Sequence, residues 1–194
     1  MTRLGGWLFR HRTIIPLPLA IAVLLLRVGE APPSAWVVAS GIALTAAGEA
    51  VRLWAVRHIG AISRTRSDRL GSLVTSGPFA VVRNPLYLGN IAMWTGFAMT
   101  ARLLWLVPVI VVLLAVEYHA IVKWEEQLLE ARFGDEYRAY AARVPRWMPK
   151  GGRGERGLRR GHVTFGWRET LFSERGTLIA MALGYVLLWL KARS

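Results

Sequence analysis

Apolar runs separated by clusters of charge dominate this chain, and their lengths predict helices in a membrane rather than a soluble core. The runs fall at about Thr13 to Leu26, Ser34 to Ala55, Leu86 to Ala101, Leu103 to Val116 and Thr177 to Leu190. They predict an all-α polytopic bundle of about five transmembrane helices. Pro16 and Pro18 sit at the start of the first run, where a membrane helix tolerates them. This run is read as a retained helix rather than a signal peptide, because no small-x-small cleavage pattern follows it. Only Arg102 separates the third and fourth runs, so they form a tight hairpin whose helices continue past the hydrocarbon at both ends. Ser34, Gly41, Thr45 and Gly48 place small residues along the second helix, as close helix contact requires.

Charge gives this bundle an orientation. The chain has 25 Lys and Arg against 12 Asp and Glu, a formal charge of +13. With the N-terminus inside, three basic residues lie in the leader, five in Arg57 to Arg83 and twelve in Lys123 to Arg175. The other side keeps Arg27, Arg102, Lys191 and Arg193, and Arg52 is near the inner boundary. This asymmetry predicts a cytoplasmic N-terminus and a C-terminus on the opposite side of a bacterial inner (cell) membrane. It also absorbs the positive charge, so nucleic acid is not needed as a partner. Cysteine is absent, which excludes disulfides and thiolate chemistry. His11, His58, His119 and His162 have no metal-motif spacing, and no metal site is expected.

The inner segments carry the candidate chemistry. Ser63 to Arg66, Gly71-Ser72 and Ser76-Gly77-Pro78 read as loop and turn. In the sequence that follows, Pro85 opens the third helix as a first-turn proline with Asn84 as its cap. That helix start offers unpaired N–H groups to an anion, with Arg83 adding charge. Glu49 and Arg52 are three apart and share a face, either at the interface or in a polar pocket. Past the fourth run, Tyr118 and Glu125 share one face and His119 and Glu126 another. The adjacent Glu125 and Glu126 therefore diverge, one towards a pocket and the other towards solvent or an arginine. Phe133-Gly134-Asp135 breaks this helix, with Asp135 as cap of a short helix bearing Tyr137 and Tyr140 that ends at Val144-Pro145. Lys150 to Gly161 reads as a flexible linker facing lipid, and Phe165 to Leu171 as a short surface segment.

Several of these elements form an ordered set. They are Gly48 to Gly60 with Arg52-x-Trp54-Ala55, Thr75-Ser76-Gly77-Pro78-Phe79, Arg83-Asn84-Pro85-Leu86-Tyr87-Leu88-Gly89, Glu125-Glu126-x-x-Leu129, Phe133-Gly134-x-x-Tyr137-x-x-Tyr140, and Val144-Pro145-Arg146-Trp147-x-Pro149. On them the chain resembles the isoprenylcysteine carboxyl methyltransferase and phospholipid methyltransferase superfamily of integral membrane enzymes. The resemblance covers about residues 48–149 and implies one membrane methyltransferase domain over 1–194, with a further membrane helix at about 177–190. It implies S-adenosylmethionine bound at the inner helix ends by Arg83, Asn84, Pro85, Tyr87, Gly89, Glu125 and Glu126, with Tyr137 and Arg138 in the segment that closes over it. Many members have histidine where this chain has Asn84, so an imidazole-specific contact is not expected here, while the backbone contacts of that turn can be kept.

The implied reaction is methyl transfer to a lipophilic acceptor in the bilayer, such as an isoprenoid-type carboxylate or a phospholipid amine, with no obligate protein partner. A soluble donor and a lipid acceptor meet only near the interface, where orientation and exclusion of water do most of the work. An amine acceptor must be presented neutral, and Glu49, Glu117 and His119 are the candidates for positioning it or taking its proton. The rival readings are an NADPH-dependent membrane reductase and a non-enzymatic accessory protein.

Overall fold

A computed structural model describes residues 2–12, 14–59, 72–149 and 164–193. The readings of Ser63 to Arg66, of Gly71 and of the Lys150 to Gly161 linker lie outside these residues. The described chain is helical: α1 (Thr2–His11), α2 (Leu17–Leu25), α3 (Ala35–Ile59), a 3-10 turn (Gly77–Ala80), α4 (Pro85–Thr100), α5 (Leu106–Phe133), α6 (Asp135–Arg143) and α7 (Trp167–Arg193).

Among the described residues, three helices are long and apolar enough to cross a membrane: α3, α5 and α7. The expected count of about five is thereby revised. The first run yields only the nine-residue α2, because Pro16 and Pro18 confine helix formation to its second half. Nine residues rise about 14 Å, less than half of a hydrocarbon core. The basic leader, to which the sequence pattern assigned no element, forms the amphipathic helix α1, which lies on α5 with Phe9 against Trp124 at 5.0 Å between ring centres. α4 has 16 residues and no extension before Pro85. It does not reach a full span by length, and it packs closely on α3. α5, in contrast, continues well beyond its apolar run, as the hairpin reading required. α7 starts at Trp167, ten residues earlier than expected, and absorbs most of the anticipated surface segment.

The small-residue stripe of α3 is the seam with α4. A Cβ at Gly41 would come within 2.7 Å of the Gly96 carbonyl oxygen, and one at Gly48 within 2.6 Å of that of Gly89. Backbone-to-backbone approach of this kind maximises dispersion contact where lipid offers no hydrophobic drive to associate. The main core forms around α5, where Ile110, Leu114, Ile121 and Val122 meet Val23 of α2, Ala98 of α4 and Leu188 of α7.

The two ends of the bundle differ. At one end, Arg102 adopts a left-handed conformation (φ 61°) in the α4–α5 turn and pairs with Glu30. Lys191 of α7 pairs with the same carboxylate at 3.2 Å and caps the carbonyls of Val23 and Leu26. Arg27 donates to the Lys191 carbonyl at 3.0 Å, so three of the four basic residues assigned to one side by charge meet in one cluster. At the other end α3 finishes beside the start of α7, with Phe165 N–H donating to the Arg57 carbonyl at 2.9 Å and Arg57 over the Trp167 ring. The starts of α4 and α7 and the ends of α3 and α5 gather there.

Candidate functional site

The site is built where α4 begins and α5 ends. Pro85 occupies the first turn of α4, as expected, and is buried. Asn84 holds the N-cap position but makes no side-chain capping bond. Its Nδ2 donates instead to the Arg146 carbonyl at 3.2 Å, and Arg83 N–H donates to the Pro145 carbonyl at 2.9 Å. The residue expected to cap a helix thus clamps the Val144-Pro145-Arg146 segment against the α4 turn.

Gly134 (φ 49°) ends α5 and reverses the chain into α6. Asp135 is the first helical residue rather than a cap, and its carboxylate takes Arg138 at 2.7 Å. α6 is seated by Tyr137 and Tyr140, which pack with Leu73, Val144, Leu129 and Phe133. The Tyr140 hydroxyl donates to the Phe79 carbonyl at 2.7 Å, tying α6 to the 3-10 turn.

These supports bring Arg83, Glu126, Tyr137 and Arg146 together. Arg146 grips Glu126 with two parallel bonds, Nε to Oε1 at 2.9 Å and Nη2 to Oε2 at 2.6 Å, the bidentate geometry that a guanidinium favours. Arg83 Nη1 reaches Glu126 at 3.2 Å and donates to the Tyr137 hydroxyl at 3.2 Å. Arg146 is held more firmly protonated by its bonds to Glu126. Burial, with Glu126 nearby, pushes the Tyr137 phenol up to about 12, so it stays a neutral acceptor and donor. Arg83 Nε is buried and has no hydrogen-bond partner among the described residues. The group opens on a cleft of about 700 Å³ whose walls include Lys123, Trp124, Glu130 and Arg138. Arg138 is exposed there and pairs with Asp135 and Glu130.

The divergence of the two glutamates is as the helix periodicity required. Glu126 faces the arginines, whereas Glu125 turns inward and accepts from the Tyr87 hydroxyl at 3.0 Å. Tyr87 leans on Tyr118 at 4.7 Å between ring centres, so Tyr118 and Glu125 share a face. Gly89 lies away from the cleft, in the α3–α4 seam, where a Cβ would meet Arg52 and the Gly48 carbonyl at 2.7 Å.

Glu49, Glu117 and His119 do not line this cleft. Glu49 is buried and joins Arg52 at 3.3 Å. Glu117 is buried on α5, with Oε1 lacking a hydrogen-bond partner among the described residues. His119 is half-buried on the same helix. No group of three or more His, Asp or Glu that could hold a metal ion occurs among the described residues.

Sequence reasoning missed Arg146 and Glu174. The Val-Pro-Arg segment was visible, but no periodicity links Arg146 to Glu126 twenty residues earlier. Glu174 fell outside the last apolar run, although an acidic residue just before that run in a basic stretch was its one signal.

A polytopic helical membrane protein with an ion-paired, aromatic-edged cleft at one end of its bundle is the class defined by this architecture. The chain belongs to the phospholipid methyltransferase family, whose model matches residues 36–136. That match takes in α3, the α4 start and the Glu125-Glu126 pair, and it stops just before Tyr137. The chain is 30% identical over 110 residues to a cobalt-zinc-cadmium resistance protein of Cupriavidus metallidurans, covering 57% of this chain and 46% of that one. It is 27% identical over 156 residues to a nickel-cobalt-cadmium resistance protein of Alcaligenes xylosoxydans xylosoxydans, covering 76% and 68% respectively. An uncharacterized protein of Haemophilus influenzae is 38% identical over 63 residues, 32% of this chain and 79% of its own. The chain therefore spans less than half of the first relative and about two thirds of the second. No solved structure matches it.

Proposed function

We propose that this protein transfers a methyl group from S-adenosylmethionine to a lipophilic acceptor held in the bilayer. The observation that carries the reading is the cleft at the ends of the membrane helices, walled by Arg83, Lys123 and Arg146 together with Glu126 and Glu130. Family membership supplies the reaction class, and the cleft supports the identity of the donor.

The residues present fit such a donor. A volume of about 700 Å³ lies within the range of small-molecule sites, roughly 300–1,000 Å³. The cations of the wall, Arg83 and Lys123, would take the carboxylate by a charge-assisted bond, with Arg83 held in place by Glu126 and Tyr137. Trp124 offers an aromatic ring to a purine, and Glu130 an acceptor for an amino or hydroxyl group. Bound there, the donor would supply an electrophilic methyl carbon on a sulfonium. The chain's own contribution is to hold Arg83 and Arg146 through Glu126, to fix α6 over the cleft through Tyr140, and to shield the site from water. Attack must come from opposite the leaving sulfur, so alignment accounts for most of the rate enhancement. Neither a covalent protein intermediate nor a metal is required.

The cleft faces the cytoplasm, where the donor is made, and the Arg27–Arg102–Lys191 end faces away. The gathering of basic residues at the cleft end supports this orientation. Titration calorimetry of S-adenosylmethionine into purified protein in lipid nanodiscs tests the reading. Saturable one-site binding that is lost in Arg83→Gln supports it, and absence of binding to wild type rejects it.

A further inference from the structure

A second polar centre is buried between the helices, apart from the cleft. Arg52 of α3 is its hub: Nε donates to Glu49 at 3.3 Å, Nη2 to Glu174 of α7 at 2.7 Å, and Nη1 to the side-chain oxygen of Asn90 of α4. Glu174 is 1% exposed and Glu49 3%, whereas the Arg52 side chain keeps 13%. Asn90 lies five residues past Pro85, so the centre is about 7–8 Å deeper along α4 than the helix start. Tyr118 stands beside Asn90 and also against Tyr87 near the start of α4.

Ionisable groups at membrane depth are expensive, and well-packed apolar residues commonly serve stability as well as or better than a buried ion pair. The arrangement has a directional consequence. A guanidinium carries five N–H donors, and the three contacts above use one on each nitrogen. Two remain, one on each Nη, and Arg52, like the half-buried Asn90 and unlike the two glutamates, keeps part of its surface exposed. Two carboxylates already lie on this cation, so a third anion gains little from it, while a neutral oxygen gains two well-oriented donors.

We infer that Arg52, held by Glu49, Glu174 and Asn90, is the recognition point for a neutral oxygen, a hydroxyl or carbonyl, on the membrane-resident acceptor. The inference rests on the methyl-transfer reading for the meaning of acceptor, but its binding chemistry does not require the donor. Glu174 acts as a positioning residue contributed by α7, outside the stretch matched to the family. Substrate choice therefore depends in part on a helix that lies outside the matched stretch.

The test uses the full chain in phosphatidylcholine nanodiscs, titrated with hexadecanol, hexadecanoic acid and hexadecane, with S-adenosylmethionine titrated into the same samples. Wild type is expected to bind hexadecanol at least about ten-fold more tightly than either of the others. Arg52→Lys, which keeps the charge and loses the fork, abolishes that preference. Glu174→Gln removes one carboxylate from the guanidinium and shifts preference towards hexadecanoic acid, a reversal that loss of packing alone would not produce. Thermal unfolding of each variant identifies any that fail to fold, and the wild-type order of preference is decisive without them. Equal binding of the three probes, preference of wild type for the acid, or a hydroxyl preference that survives in folded Arg52→Lys overturns the inference. Failure of S-adenosylmethionine to bind wild type would instead overturn the donor reading and leave the oxygen-recognition result to stand on its own.

Discussion

Replacing Glu126 by glutamine is the sharpest perturbation of the cleft. The substitution keeps the shape and one acceptor oxygen but removes the charge that gathers Arg83 and Arg146. Glu126 is 14% exposed, Arg83 13% and Arg146 33%, so the three are partly shielded from solvent. Removing one partner of a fully buried pair costs about 3–5 kcal/mol. Solvent reaches Arg146, and glutamine retains one bond, so a stability loss of about 1–3 kcal/mol is expected. Binding suffers separately, because Arg83 loses the partner that aims it and two cations then repel across the cleft. An increase of about ten- to a hundred-fold in the Kd for S-adenosylmethionine corresponds to roughly 1.4–2.8 kcal/mol. Titration calorimetry on nanodisc-embedded wild type and Glu126→Gln, with melting curves on the same samples, measures both effects. A Kd unchanged in a folded variant would remove Glu126 from the donor site.

Other consequences follow from the packing. Gly48→Leu places a side chain where a Cβ already comes within 2.6 Å of the Gly89 carbonyl, so α3 and α4 must separate; a melting temperature several degrees lower is expected, and an unchanged one would mean that the seam is not close-packed. Tyr140→Phe leaves the buried Phe79 carbonyl without its 2.7 Å bond and should cost about 1–3 kcal/mol, with faster amide exchange in residues 77–80 and 135–143 as the diagnostic. Tyr137 carries a pH signature: its phenol is raised from 10.0 to about 12 in the folded protein, so it favours the native state fully below pH 10, and that contribution disappears between about 10 and 12. Tyr137→Phe should flatten the decline of stability over that window, and an identical alkaline profile would contradict the assignment.

Most of the secondary structure could be read from the apolar runs, because a helix in lipid must satisfy its own backbone and leaves a nearly uninterrupted signature. The runs failed where length and local chemistry disagreed. Thr13 to Leu26 has the hydrophobicity of a span, but two prolines leave only α2. The leader carries three arginines and no apolar run, yet its apolar positions recur on one face and form α1. The small-residue stripe identified the α3 seam but not its partner, since α4 offers matching glycines at residues 89 and 96 that became meaningful only once the two helices were opposed. At the cleft, periodicity separated Glu125 from Glu126, and the resemblance pointed to Arg83 and Tyr137. Arg146 and Glu174 stayed hidden because their contacts join elements far apart in sequence. Asn84 was placed correctly at a helix start and given the wrong task, because its amide found a carbonyl from a segment sixty-two residues later.

The central claim is tested most directly by following a methyl label. Purified protein in nanodiscs made from the lipids of its source membrane, given methyl-tritiated S-adenosylmethionine, should move tritium into an organic-extractable product. Arg83→Gln should abolish the transfer, and Arg52→Lys should raise the acceptor KM while leaving donor affinity unchanged. Label that stays entirely in the aqueous phase, from a folded wild-type protein that fails to bind the donor, would contradict the account.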